Sequence, residues 1–113
     1  MTLQNRLKEV HARLSELSIG CGNVKHYWHG RMTAPYVIWA EDGPDDYFNV
    51  DNRRGEASIH CTIDLFTKTE FDPVFDEIEV TLHDMCGSRW RWLSTQYEDG
   101  TQLIHHEWEF VVI

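Results

Sequence analysis

Seven histidines and nineteen carboxylates in 113 residues are the groups best equipped for chemistry, so their spacing decides what chemistry is open to them. His26-x-x-His29 falls in a stretch expected to be a strand or turn, where a spacing of three sends the rings to opposite faces and suits a metal poorly. His105 and His106, adjacent on an expected strand, diverge in the same way, and so do His60 and Cys61. Glu107 and Glu109 lie two apart on one strand face, roughly 7 Å from each other, a carboxylate pair of the kind used in glycoside hydrolysis. No pocket-forming pattern surrounds them, and a solvated or subunit-contacting strand face accounts for both. The cysteines Cys21, Cys61 and Cys86 form no Cys-x-x-Cys, and none sits in a nucleophile signature. Ile19-Gly20-Cys21-Gly22-Asn23 lacks the lysine and the strand-to-helix setting of a phosphate loop. Neither a catalytic residue, a metal site nor a cofactor is expected.

The most unusual local feature is Trp90-Arg91-Trp92. On a strand the two indoles share a face and the guanidinium takes the other. Such a triplet serves a core, a protein interface rich in Trp and Arg, or a stacking platform for single-stranded nucleic acid. Charge weighs against the last. The net charge is −9, and twelve acids against three bases between Glu41 and Glu79 carry all of it. A domain of that sign gains nothing from counterion release and repels duplex phosphates, leaving only a minor basic patch such as Arg89 with Arg91.

These groups must be placed by a single domain, residues 1–113, with 42% hydrophobic and 12% aromatic residues to fill one core. No apolar run approaches the roughly 20 residues of a membrane span, and the polar start is no secretory signal, so the chain is expected to be cytosolic where it is made. The odd, widely spaced cysteines fit reduced, partly buried thiols.

Leu3, Leu7, Val10, Leu14 and Leu17 predict an amphipathic helix over 3–17, with Thr2 as N-cap. Val24–His29 and Pro35–Glu41 read as strands. Asp42-Gly43-Pro44-Asp45-Asp46 reads as a turn, and Tyr47–Val50 as a short extended piece. Residues 56–67 alternate, with Ala57, Ile59, Cys61, Ile63 and Leu65 on one side. Asp72-Pro73 opens a second helix whose apolar positions are Phe71, Val74, Phe75, Ile78, Leu82 and Met85, and Gly87 ends it. Asp99-Gly100 predicts a type I′ hairpin between Arg89–Glu98 and Thr101–Val112. Runs of strands without alternating βα units predict an α+β fold, a mainly antiparallel sheet of four to five strands with both helices on one face.

Taken together, these residues resemble a family. The leucine-striped first helix, Pro35-Tyr36-Val37-Ile38-Trp39 with its acidic sequel, Ile63-Asp64-Leu65-Phe66-Thr67-Lys68 running into Phe71-Asp72-Pro73, and the closing Tyr97-Glu98-Asp99-Gly100-Thr101-Gln102-Leu103 and His105-His106-Glu107-Trp108-Glu109-Phe110 look like the tail-terminator or tail-completion proteins of long-tailed bacteriophages and prophages. The resemblance spans nearly the whole chain and rests on strand and turn patterns. It implies a non-enzymatic virion protein that forms a homo-oligomeric ring, a hexamer, on the head-proximal end of the tail. The ring would touch the major tail tube protein and the head connector, and DNA would pass without specific binding. Asp42, Asp45 and Asp46 are expected to project toward the lumen or the tube, and Arg89, Arg91, Glu107 and Glu109 to serve assembly contacts. Two other readings stand beside it: a head-completion protein of the same connector, and a small acidic ligand-binding or regulatory α+β domain.

Overall fold

The computed structural model describes residues 2–27, 30–45 and 58–113. Its elements run α1 (Leu3–Leu14), β1 (Val24–His26), β2 (Tyr36–Pro44), β3 (Ile59–Thr67), α2 (Pro73–Cys86), β4 (Trp90–Glu98) and β5 (Leu103–Val112). The sheet order is β1-β2-β3-β5-β4. The β2–β3, β3–β5 and β5–β4 pairings are antiparallel, while β1 runs parallel to β2, so the sheet is mixed. This is the α+β class that the patterning predicts. The expected piece at Tyr47–Val50, together with Asp46, Ala57 and His29, lies outside the described residues.

Both helices cover one face. From β2, β3 and β5 the residues Val37, Trp39, Cys61, Ile63, Leu65, Trp108 and Phe110 are fully buried there, against Val10 and Leu14 of α1 and Ile78, Leu82 and Cys86 of α2. A tryptophan ties each helix to the sheet. Trp39 Nε1 donates to His11 Nδ1 on α1 at 3.0 Å, and Trp108 Nε1 donates to Glu79 Oε2 on α2 at 3.0 Å. Each bond satisfies an indole N–H that burial would otherwise strand.

Three expectations about where elements end or turn are corrected. The first helix ends at Leu14 rather than at residue 17, because the Ser15 hydroxyl donates to His11 O at 2.7 Å and competes with the helical ladder. Tighter i→i+3 turns follow, Glu16 N to Arg13 O and Leu17 N to Leu14 O, which keep Leu17 in the core. The stretch Asp42-Gly43-Pro44 continues β2 instead of turning. A register shift between Glu41 and Gly43 leaves Asp42 as the extra residue, Gly43 (φ 150°) faces His60, and Pro44 still faces Ile59 at the strand's end. The last hairpin closes through four residues, since Glu98 faces Leu103 and the positive φ falls at Gln102 (59°) rather than at Asp99 and Gly100. Gln102 N donates to Glu98 O at 2.7 Å, a longer loop in place of type I′.

The start of α2 is as expected. Asp72 caps it through Val74 N at 2.9 Å, Pro73 occupies the first turn, and Gly87 (φ 63°) ends it. Phe71, expected on the apolar stripe, is instead 92% exposed with φ 56°, because it precedes the cap and swings away from the sheet. Among the described residues no helix is long and apolar enough to cross a membrane.

Candidate functional site

Five of the seven residues singled out by type and spacing meet at one end of the sheet around a sixth group, His60. The cross-strand register brings them there: Arg91 of β4 faces Glu109 of β5, and His60 of β3 faces Val111 two pairs further along. The irregularity in β2 carries Asp42 alongside. His60 Nδ1 lies 2.6 Å from Asp42 Oδ1, and His60 Nε2 lies 3.7 Å from Glu109 Oε1. Arg91 approaches the same carboxylate with both Nε (3.3 Å) and a terminal nitrogen (3.4 Å), a forked contact. Asp45 and Arg89 complete a cleft of about 430 Å³ that Trp90, Phe110 and Val111 also line. Arg89 O accepts from Val111 N and Asp45 N donates to Ser58 O, so the backbone there is tied down. The side chains are not: Asp45 Oδ2 and Arg89 Nε are buried with no hydrogen-bond partner among the described residues. Glu107 lies two residues along β5, facing Asp64 rather than the cleft. Asp46 lies outside the described residues.

The electrostatics follow from these distances. Burial alone would lower the pKa of His60, but Asp42 and Glu109 outweigh it and the net direction is upward. Asp64 is raised by burial and by Glu107, against the bond that His105 supplies. His106, on the helix-covered face, is lowered by burial and by His105. Of the three acids expected to project toward the lumen or the tube, Asp42 and Asp45 are among the described residues, and Asp42 is exposed. Asp42 is engaged by His60, and Asp45 has one oxygen buried in the cleft.

A histidine between two carboxylates is the orientation a general base needs, yet the partner it would activate is not in place. Ser88 lines the cleft but is exposed and makes no hydrogen bond to His60 among the described residues. Cys61 and Cys86 are buried free thiols. Burial, aided by Glu41, pushes Cys61 far up, and burial pushes Cys86 up to about 11, so neither is a thiolate at neutral pH. The described residues contain no group of three or more His, Cys, Asp or Glu side chains placed to hold a metal. What the cluster offers is a charged, shaped surface with a buried donor and a buried acceptor that no described residue matches.

The rest of the open sheet face supports the same description. Tyr36, Phe66 and His105 stack across β2, β3 and β5, with ring centres 4.8 and 4.2 Å apart. His105 holds Asp64 at 2.7 Å and Glu98 at 3.3 Å. The opposite-face reading of His105 and His106 is correct, and His106 instead meets Thr95 and the edge of Phe75. In the Trp90-Arg91-Trp92 triplet the indoles do share a face. Trp90 packs against the core, whereas Trp92 is half exposed and donates to Thr95 Oγ1 at 3.0 Å. Sequence reasoning missed the partnering of His60, Asp64 and His105. The one signal available was their even spacing on strands that alternate cleanly.

Comparison with known proteins adds a likeness of fold. No protein-family model matches the chain, and no curated protein matches it. Among solved structures, a chain from the virion of a native gene transfer agent particle superposes with a TM-score of 0.54 at 16% sequence identity. The superposition covers 98% of this chain and 90% of that one. The α+β arrangement is therefore shared almost end to end, well beyond what the two sequences share.

Proposed function

We propose that this chain is a structural subunit of a virion particle, and within it the tail terminator. It forms a homo-oligomeric ring, six copies around the tail axis, at the head-proximal end of the tail. One rim meets the major tail tube protein and the other the head connector. The observation that carries the reading is the end-to-end likeness of fold to a virion chain, in line with the sequence pattern of the tail-terminator family. The role is one of shape and contact, with no catalytic residue, cofactor or metal.

The charge is in keeping with it. A ring that DNA traverses gains from a surface that does not hold phosphates, and the excess of acids between Glu41 and Glu79 supplies one. Asp42 and the Arg91–Glu109 fork sit beside a cleft whose buried acceptor and donor suit the backbone groups of a neighbouring subunit. Glu107, half-buried opposite Asp64, lies two residues along β5 on the same open face, at the rim of that contact.

Deleting the gene and imaging the particles tests the proposal. Loss of a terminator leaves tube growth unstopped, so tails of unregulated length, detached from filled heads, are the expected outcome. Empty or leaking heads with tails of normal length would assign the chain to head completion instead. Normal particles would remove the virion role.

A further inference from the structure

β4 is the outermost strand on its side of the sheet among the described residues, nine residues long, with one edge of backbone N–H and C=O groups facing away from β5. Outer strands are usually blunted by proline, lysine or inward-pointing charge, because a bare edge invites another strand. β4 has no proline and no lysine, and its two charges stand near its ends, Arg91 at one and Glu98 at the other. Large apolar side chains crowd it instead: Trp92 is 50% exposed, Leu93 38% and Tyr97 60%.

The register with β5 decides how these side chains are arranged. Trp92 faces Trp108 and Ser94 faces Glu107, so Leu93 is an extra residue in a bulge. Arg91, Ser94, Gln96 and Glu98 therefore point to the open face, and Trp92, Thr95 and Tyr97 to the helix-covered one. That shift of phase makes the strand complementary to itself when reversed. Set antiparallel to a second copy about a twofold axis at Thr95, Thr95 meets Thr95 and Ser94 meets Gln96. The Trp92–Leu93 bulge meets Tyr97, and Arg91 meets Glu98. Every facing pair lies on one side of the joined sheet, as pairing requires. The twofold axis repeats each unlike pair, giving two ion pairs and two aromatic contacts. Sliding the strands by two residues puts Arg91 against Gln96, or Glu98 against Ser94, and loses both ion pairs.

We propose that β4 pairs antiparallel with β4 of a second copy of this chain, joining two five-stranded sheets into one across Thr95. Cross-strand charge and aromatic matching set the register, and the half-exposed Trp92 and Tyr97 are covered. A ring of one sense contains head-to-tail contacts alone, so this twofold pair belongs to the free chain outside any ring. It stands or falls separately from the virion role.

Sedimentation equilibrium of the purified full chain tests the pairing, together with cysteine cross-linking in a Cys21→Ser background. The wild type is expected at twice its 13.4 kDa mass. Arg91→Glu and Glu98→Arg each set like charges face to face at two positions and are expected to weaken the dimer roughly tenfold. The double variant Arg91→Glu/Glu98→Arg restores both pairs and should regain it. Thr95→Cys, opposite itself at a distance a disulfide spans, should cross-link on mild oxidation, while Thr101→Cys in the neighbouring loop should not. Circular dichroism confirms that each variant is folded. A monomer at every concentration, a double variant no better than the single ones, or equal cross-linking at Thr95 and Thr101 would overturn the proposal.

Discussion

Replacing Asp72 with alanine strikes the point where the sheet hands the chain to α2. Its two carboxylate oxygens do separate jobs. Oδ1 accepts from Val74 N at 2.9 Å as the helix cap, and Oδ2 accepts from the Thr67 hydroxyl at 2.6 Å. Asp72 is 8% exposed and Thr67 fully buried, so water cannot take over either bond. Loss of an N-cap costs about 1 kcal/mol. The stranded Thr67 hydroxyl adds about 1–3 kcal/mol. The expected total is therefore about 2–4 kcal/mol, or a fall in Tm of roughly 8–16 °C at about 4 °C per kcal/mol for a domain of this size. Asp72→Asn keeps an oxygen for Val74 and offers an amide to the Thr67 oxygen, so it should cost under about 1 kcal/mol. Thermal and urea unfolding measure both variants. Asp72→Ala within about 0.5 kcal/mol of wild type, or Asp72→Asn as damaging as Asp72→Ala, would refute the reasoning that two buried bonds act here.

Other consequences follow from the same geometry. Phe110→Ala empties a fully buried position between β3 and β4 and should cost about 3–5 kcal/mol in urea unfolding. The folded pKa of His60 is raised, so its contribution is complete below its unfolded value near 6.5 and fades as pH rises through the folded value. The wild type should accordingly exceed His60→Gln in stability by more at pH 5.5 than at pH 8.5, by denaturant midpoint. His106 is lowered, so its contribution runs the other way, complete above 6.5 and lost as pH falls. A His106→Gln variant should therefore lose its disadvantage on acidification. Duplex DNA should show no retardation by the purified chain at physiological salt, and a shift that weakens steeply with added salt would expose a basic surface the net charge conceals.

What could be read from the sequence was what repeats with a period or sits at a boundary. The alternation from Ile59 to Thr67 gave the face as well as the strand, and Asp72-Pro73 with Gly87 marked both ends of α2. Misreadings came where a strong local signal met a pairing partner further off. Gly43 and Pro44 signal a turn, but His60 and Ile59 hold them in the sheet through a register shift. Asp99-Gly100 signals a two-residue turn, but the β4–β5 ladder stops earlier and closes at Gln102. The cluster around His60 was half legible: Asp42, Asp45, Arg89, Arg91 and Glu109 stood out by charge and type, while their meeting depends on which strand lies beside which. Sequence order puts β4 next to β5 and gives no hint that β5 inserts between β3 and β4. The parallel β1 is likewise a tertiary fact, since three residues carry no signal of direction.

Cryo-electron microscopy of the intact particle at the head–tail junction tests the central claim most directly. Density for this α+β chain is expected in six copies around the axis between the tail tube and the connector, with the Asp45–Arg89 cleft filled by a neighbour. Purified particles that lack the chain altogether would contradict it.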